Sequence, residues 1–487
     1  MIPQSQYKIS ASSFYDLSRC RRRVYMDLHG NPEEKSEHSE FLQLLWKRGF
    51  QIEKKVLDQI VKEKPVCAVE GIASLETFEQ TLALMKQGVP LIYQGVLIFQ
   101  DKIGRPDLLQ RTEGKSGLGG YYYSPCDIKS GRATRSKDSE DLKSHYANQM
   151  LFYAELLEAI QGRKPEQGSI IQVDGEIMIF DMDDYFSDYE EVKASVHAIV
   201  YDKDEPEPLI GGVCKECVWS KPCLKWAEDK RDPSLLFYMG KQKYKLREKG
   251  IHTIEDLAKI DVQAFLRPPL KIHRVAEDTL LQWKRRAQVW VDGRPIVHTS
   301  PNLRSARREV FYDIEDDPSS NHVYLHGFIE RIDGKTGEFK SFLAIEPLEE
   351  KRAAKETWAY IETLSEKDII YHYGSYENTK LSHLQKKYSL PEETFQKFRR
   401  LHVDLCEVVK QSSDWPLTSY GIKSIAKFLG FRWTSEDASG ANSIAWYTDY
   451  QKDPVGNKDL LEKILTYNRE DCEAMIVVHD WLSMNSK

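Results

Sequence analysis

"GRPDLLQRTEGKSGLGGYYYSPCDIKSG", residues 104–131, holds two strand-like runs, 105–112 and 119–129. Each delivers an aspartate, Asp107 and Asp127. Lys129 follows Asp127 by two residues, so on a strand both side chains point to one face. Carboxylates and a lysine on one face suit hydrolysis assisted by a divalent metal. Carboxylates supply the oxygen ligands that hard ions such as Mg²⁺ or Mn²⁺ require. Such an ion lowers the pKa of a bound water, and the lysine can orient that water or stabilise the transition state.

Working outward, residues 40–63 show the apolar spacing of an amphipathic helix, and "RGFQIEKKV" places Glu53 on it. "LIYQGVLIF" (91–99) reads as a strand, with "DKIG" as the turn before 105–112. Residues 139–161 space Leu142, Tyr146, Met150, Tyr153, Leu157 and Ile160 as a helix does. Gln149 and Tyr153 then share one helical face. "SIIQVDG" and "EIMIFDM" complete the strand candidates.

The order Glu, G-x-P-D, D-x-K, Q-x-x-x-Y resembles the RecB-like branch of the PD-(D/E)XK nucleases, over roughly residues 10–225. The resemblance implies catalytic roles for Asp107, Asp127 and Lys129, with Gln149 and Tyr153 beside them. It implies metal binding by Glu53, Asp107 and Asp127. Many relatives carry a histidine next to or near that glutamate, where this chain has Ile52.

"GGVCKECVWSKPCLKWAEDK" (211–230) gathers three of the eight cysteines, Cys214, Cys217 and Cys223, as C-x2-C-x5-C. Zinc and iron–sulfur sites usually take four ligands, so one is missing locally. Some RecB-like nucleases hold a [4Fe–4S] cluster through this triplet and one cysteine near the domain's N-terminus. By that resemblance the fourth ligand is Cys20, and structural zinc is the rival occupant. Cys67, Cys126, Cys406 and Cys472 read as ordinary thiols.

Residues 229–300 read as mostly helical. "FYMGKQKYKLREKGIHTIEDLAKI" resembles a degenerate helix-hairpin-helix with Gly240 as its first glycine and Gln242 near the second glycine's place. A structural helical linker is an equal reading. Thr253 and Asp256 have capping-box spacing.

Further on, "EVFYDIEDDP" (309–318) puts Asp313 and Glu315 on one face of a strand. "DIIYHYGSYENTKLSHL" (368–384) sets Glu377 near a helix start, and "YNREDCEAM" sets Tyr467 and Asp471 one helical turn apart. Three separate elements offering acids fit a two-metal site. The set resembles the DnaQ-like 3′–5′ exonucleases of the RNase H fold, over about 308–485. That resemblance implies metal binding by Asp313, Glu315 and Asp471, and a water-positioning Tyr467. Relatives usually have Asp where Glu377 stands, and Asp404 in "LHVDL" is the fallback acid.

The whole is expected to be an α/β multidomain protein. Residues 1–228 form a PD-(D/E)XK domain with an iron–sulfur cluster, 229–300 a helical linker, and 301–487 an RNase H-like domain. Length and the 41% hydrophobic content support several cores. No signal-type apolar run opens the chain and no run reaches the roughly 20 residues of a membrane helix, so the protein is expected to be cytoplasmic. Net charge is −7, which disfavours polyanion binding by the surface at large but not in local grooves such as Arg19–Arg23, 130–137, 283–286 and 304–308. Three functions follow. The first is a metal-dependent nuclease acting on DNA with a single-stranded portion. The second is an exoribonuclease using the C-terminal site. The third is a nucleic-acid-binding scaffold with degenerate sites, suggested by Ile52 and Glu377.

Overall fold

A computed structural model describes residues 7–134, 141–304, 306–435 and 439–486. The end of the basic run 130–137, the start of the expected 139–161 helix and Ser305 in the run 304–308 lie outside the described residues. The chain divides into two units, Met1–Leu224 and Lys225–Lys487.

The first unit is built on a six-stranded mixed sheet. Its strands lie in the order Val66–Ala68, Leu91–Tyr93, Leu108–Ser116, Gly119–Ile128, Gln167–Ile171 and Ile177–Asp181. Helix Ser144–Gln161 packs on the sheet through Met150, Leu151, Phe152 and Leu157. Helix Ala11–Arg19 covers it from outside, with Phe14 stacked on Phe152 at 4.6 Å. Burial on both sides explains why this helix is apolar nearly all round.

The stretch 91–99, expected as one strand, is two. Leu91–Tyr93 joins the large sheet, and Leu97–Phe99 joins a small sheet with Lys102–Gly104 and Ile9–Ser10. The break falls at Gln94, with φ of 56°, and Gly95, where a Cβ would lie 2.8 Å from Leu109. Asp107, expected inside a strand, stands just before Leu108–Ser116. Its N–H donates to the Asp127 carboxylate instead of to a neighbouring strand. The Glu40–Glu63 helix and the Asp127–Lys129 side-by-side placement are as expected.

The second unit centres on a five-stranded sheet. The order is Lys335–Leu343, His322–Ile332, Arg308–Asp317, Ile369–His372, His402–Asp404. The first three strands are antiparallel and the last three parallel. Val310, Phe311 and Tyr312 are all fully buried, because helices and strands cover both faces of the central strand. Helix Lys458–Met484 lies across this strand.

The helices of residues 229–300 pack into the same unit as this sheet. Arg285 and Arg286 both pair with the fully buried Asp414, Arg286 at 2.9 Å, and Ile296–Val297 pairs with Ser413–Asp414. The expected capping box at Thr253 and Asp256 opens helix Ile254–Ala258. Its preceding turn uses Gly250, at φ of 80°, and Gly240 turns the chain before helix Gln242–Arg247. The amides of Gly250 and Ile251 bond within that turn, to Arg247 and Leu246. Among the described residues no helix is long and apolar enough to cross a membrane.

Candidate active sites

The first site sits where the strand pair 108–116/119–128 meets helices Glu40–Glu63 and Ser144–Gln161. Lys129 Nζ donates to Asp127 Oδ2 at 2.8 Å and to Gln149 Oε1 at 3.1 Å. Gln149 Nε2 in turn donates to the Tyr153 hydroxyl at 3.0 Å, and that hydroxyl donates to the Arg105 carbonyl. The Gln/Tyr pair thus fixes the lysine from behind. Asp107 Oδ2 accepts the Ile128 N–H at 2.7 Å. Glu53 is brought alongside: Gln94 Nε2 donates to Glu53 at 2.7 Å and to Asp107 at 3.1 Å, and Tyr93 donates to Glu53 at 2.8 Å. All six residues expected from the sequence meet here.

Burial, then the charge of Asp127 and that of Glu53, push Asp107 up to about 8 against the pull of Lys129. Burial works against the Lys129 charge, but Asp127 and Asp107 outweigh it and hold the ammonium above its usual range. Crowded carboxylates of this kind attract a cation. Gln94 was not foreseen. Its role depends on the strand break, which aims its side chain at the acids, and periodicity carries no signal of that.

Four cysteines line one wall of the cavity that also reaches Glu53, Asp107 and Lys129. Cys20 separates helices Ala11–Arg19 and Arg21–His29. Cys214 lies in the 3₁₀ turn Gly212–Glu216, with Cys217 next to it, and Cys223 is on helix Ser220–Asp229. None is in a disulfide. Burial raises Cys214, Cys217 and Cys223, the last to about 12, and each also feels the charge of Cys20. The two ends are tied by Trp219 Nε1 to Asp27 at 2.8 Å and by Arg22 to Glu205 at 2.7 Å.

The second site gathers Asp313 and Glu315 from the central strand and Asp471 from the last helix. One ligand oxygen from each falls within 4.8 Å of the others, the one such group of three His, Cys, Asp or Glu among the described residues. Burial raises all three, Asp313 well above the carboxylate range, Glu315 to about 8 and Asp471 to about 6; the charge of Asp471 adds to the rise of Asp313 and Glu315, while Lys423, Tyr467 and Trp433 hold Asp471 lower. Tyr467 hydrogen-bonds to Asp471, as does Trp433 Nε1 at 2.7 Å. Asn468 Nδ2 donates to Asp313 at 2.6 Å. Lys423 lies over the Tyr467 ring at 4.4 Å and within the field of all three acids. Asn468, Lys423 and Trp433 went unread because lone polar residues on helices and loops carry no pattern.

Glu377 lies outside this group of three, at the start of helix Tyr376–Tyr388. Its Oε2 is 3.2 Å from His372 Nδ1, buried and with no hydrogen-bond partner, though its charge reaches Asp313. Asp404 is occupied elsewhere: it accepts the N–H groups of Gly374, Cys406 and Glu407 as the cap of helix Leu405–Ser412.

Two mixed sheets, each carrying a buried acidic cluster at its strand ends, define a protein of the nuclease class. Residues 10–224 belong to the PD-(D/E)XK nuclease superfamily and residues 310–483 to the RNase H superfamily, each matching the family model over that span. No curated protein matches the chain. Nucleic acid is therefore the substrate class.

Proposed function

We propose that this chain is a metal-dependent nuclease with two separate phosphodiester-hydrolysing sites, acting on DNA that has a single-stranded portion. The convergence of Asp313, Glu315 and Asp471 within 4.8 Å carries the proposal, because three raised carboxylates so close together favour a divalent cation. Bound Mg²⁺ or Mn²⁺ would neutralise phosphate charge and lower the pKa of a water. Tyr467 orients the water's side of the site, and Asn468 fixes the Asp313 carboxylate. The C-terminal reaction is read as exonucleolytic.

At the N-terminal site Glu53, Asp107 and Asp127 hold the metal, and Lys129 stabilises charge on the phosphate, steadied by Gln149 and Tyr153. Cys20, Cys214, Cys217 and Cys223 hold a [4Fe–4S] cluster that joins the two ends of the domain. Tetrahedral zinc would draw four sulfurs to roughly 3.8 Å from one another. Iron and acid-labile sulfide, as against zinc alone, distinguish the two occupants of these four free thiols.

A second reading, a nucleic-acid-binding scaffold, is favoured by one observation: Glu377 lies against His372 and outside the acidic group. Labelled single-stranded DNA, duplex DNA and RNA, incubated in parallel with Mg²⁺ or Mn²⁺, separate the readings. Asp107→Ala and Asp313→Ala should each remove part of the cleavage and together all of it. Cleavage that survives the double variant would sink the assignment, and preference for RNA would move the substrate to the exoribonuclease alternative.

A further inference from the structure

Helix Glu40–Glu63 carries Trp46, Gly49, Phe50 and Glu53 at i, i+3, i+4 and i+7, one stripe along its length. Glu53 stands at the first acidic site. The other three continue from it along the wall of the same cavity, about 770 Å³ in volume. Trp46 is 54% exposed and Phe50 62%, although both rings adjoin a cleft rather than open surface. His38 meets Trp46 edge-on, with centroids 4.6 Å apart and planes at 70°, so the indole is held from one side.

Gly49 is the telling residue. Glycine is among the poorest residues for a helix interior. Packing does not demand it here, because a Cβ at Gly49 would meet nothing within 4 Å. What the glycine leaves is a bare patch of helix between Trp46 and Phe50. The cavity is also lined by Lys129, 5.2 Å from the Tyr146 ring, and by the exposed Arg19, which lies over Tyr15. Open aromatic faces together with cations that can follow a phosphate backbone are the elements of single-strand binding.

We infer that Trp46, Gly49 and Phe50 form a base-stacking slot for single-stranded nucleic acid, which delivers its backbone to Asp107, Asp127 and Lys129. The inference rests on the nuclease reading above and adds how the strand is gripped. Bases enter between the two rings over Gly49, and Arg19 and Lys129 take the phosphates. Stacking needs a base but not a particular one, so the slot is indifferent to sequence.

The test uses the full chain carrying Asp313→Ala, which breaks the second acidic group, with Ca²⁺ as the cation and a fluorescent oligothymidylate as probe. Trp46→Ala and Phe50→Ala should each weaken binding about 5- to 150-fold, the range for one lost stack. Trp46→Phe should keep most of the affinity. An abasic oligonucleotide of the same length should bind weakly to all forms and be insensitive to these changes. Gly49→Leu should weaken binding while Tm holds or rises, an outcome that a structural role for the glycine would not give. Unchanged affinity in both ring variants, or equal loss on the abasic probe, overturns the slot. If the unaltered chain binds and cuts nucleic acid but ignores the ring changes, the slot alone fails. If it neither binds nor cuts any nucleic acid, the nuclease reading fails with it.

Discussion

Asn468 reaches Asp313 across the bare Cα of Gly327, the residue paired with Asp313 on the neighbouring strand. A Cβ at Gly327 would fall 1.7 Å from Asn468 Oδ1 and 2.7 Å from the Phe339 ring. The glycine is therefore what lets a helix amide orient a strand carboxylate.

Gly327→Ala should push Asn468 off Asp313 and overpack the sheet, costing about 1–3 kcal/mol. C-terminal cleavage should fall at least tenfold. Asn468→Ala should lower the same cleavage with a smaller change in Tm. Thermal melts and exonuclease assays on both variants check this. Full activity in Gly327→Ala would mean that Asn468 does not position the acid.

Lys129 and Asp107 should respond in opposite ways. Asp127 is buried, so Lys129→Ala leaves a buried carboxylate without its cation, a loss on the order of 3–5 kcal/mol. N-terminal cleavage should fall about 100- to 1,000-fold. Asp107→Asn should also abolish cleavage but remove a carboxyl that burial and crowding hold in its uncharged form at a cost to folding, raising Tm in EDTA near neutral pH by about 2–6 °C. A lower Tm in Asp107→Asn would count against the crowding argument.

The sign of the pH dependence follows from the raised carboxyls. Asp107 and Glu315 lie near 8 and Asp471 near 6, above their unfolded values of 3.8 to 4.5. Between about pH 4 and pH 8 the folded chain holds protons that the unfolded chain has released, so the contribution to stability falls as pH rises. Metal-free protein should lose Tm from about pH 5 to pH 8 on this account. Mn²⁺ binds the ionised acids, so the Tm it restores should be larger at the higher pH. Melts in EDTA and in Mn²⁺ across that range decide it.

Glu377 and Asp404 separate by phenotype. Asp404 caps a helix, so Asp404→Ala should cost about 0.5–2 kcal/mol and be felt in Tm. Glu377→Ala removes the carboxylate that faces the buried His372 at 3.2 Å, and should take most of the C-terminal activity. If Glu377→Ala is silent and Asp404→Ala is inactive yet stable, the roles are exchanged.

What could be read from the chain was what repeats or converges. Asp127 with Lys129, and Asp313 with Glu315, show because a strand returns every second side chain to one face. Tyr467 with Asp471, and Gln149 with Tyr153, show because a helix does so at four. The split of 91–99 hid itself, since an apolar run reads alike whether one strand or two, and Gln94 with Gly95 offers only a weak punctuation. Gly327 was equally silent: its meaning lies in a helix that arrives some 140 residues later to set Asn468 against it.

The four cysteines allow the sharpest test of long-range coupling. Cys20 and Cys214 stand at opposite ends of the first unit's sequence but line one cavity wall. The protein itself joins those ends through a small buried cluster of Met26, Val218 and Trp219 and through partly exposed pairs such as Arg22 with Glu205, and pairs of that kind contribute about 0–1 kcal/mol. A bound cluster closing so long a loop would stabilise by up to about 5 kcal/mol on a chain-entropy argument. Protein purified without oxygen should therefore be brown, with iron and acid-labile sulfide in proportion. Cys20→Ser should lose the iron and lower Tm by far more than Arg22→Ala does. Cys67→Ser, outside the set, should change neither. Stoichiometric zinc without sulfide after anaerobic reconstitution would replace the cluster with a zinc site. Retention of full iron in Cys20→Ser would remove Cys20 from the ligands, and with it the reason for the two ends to be held together.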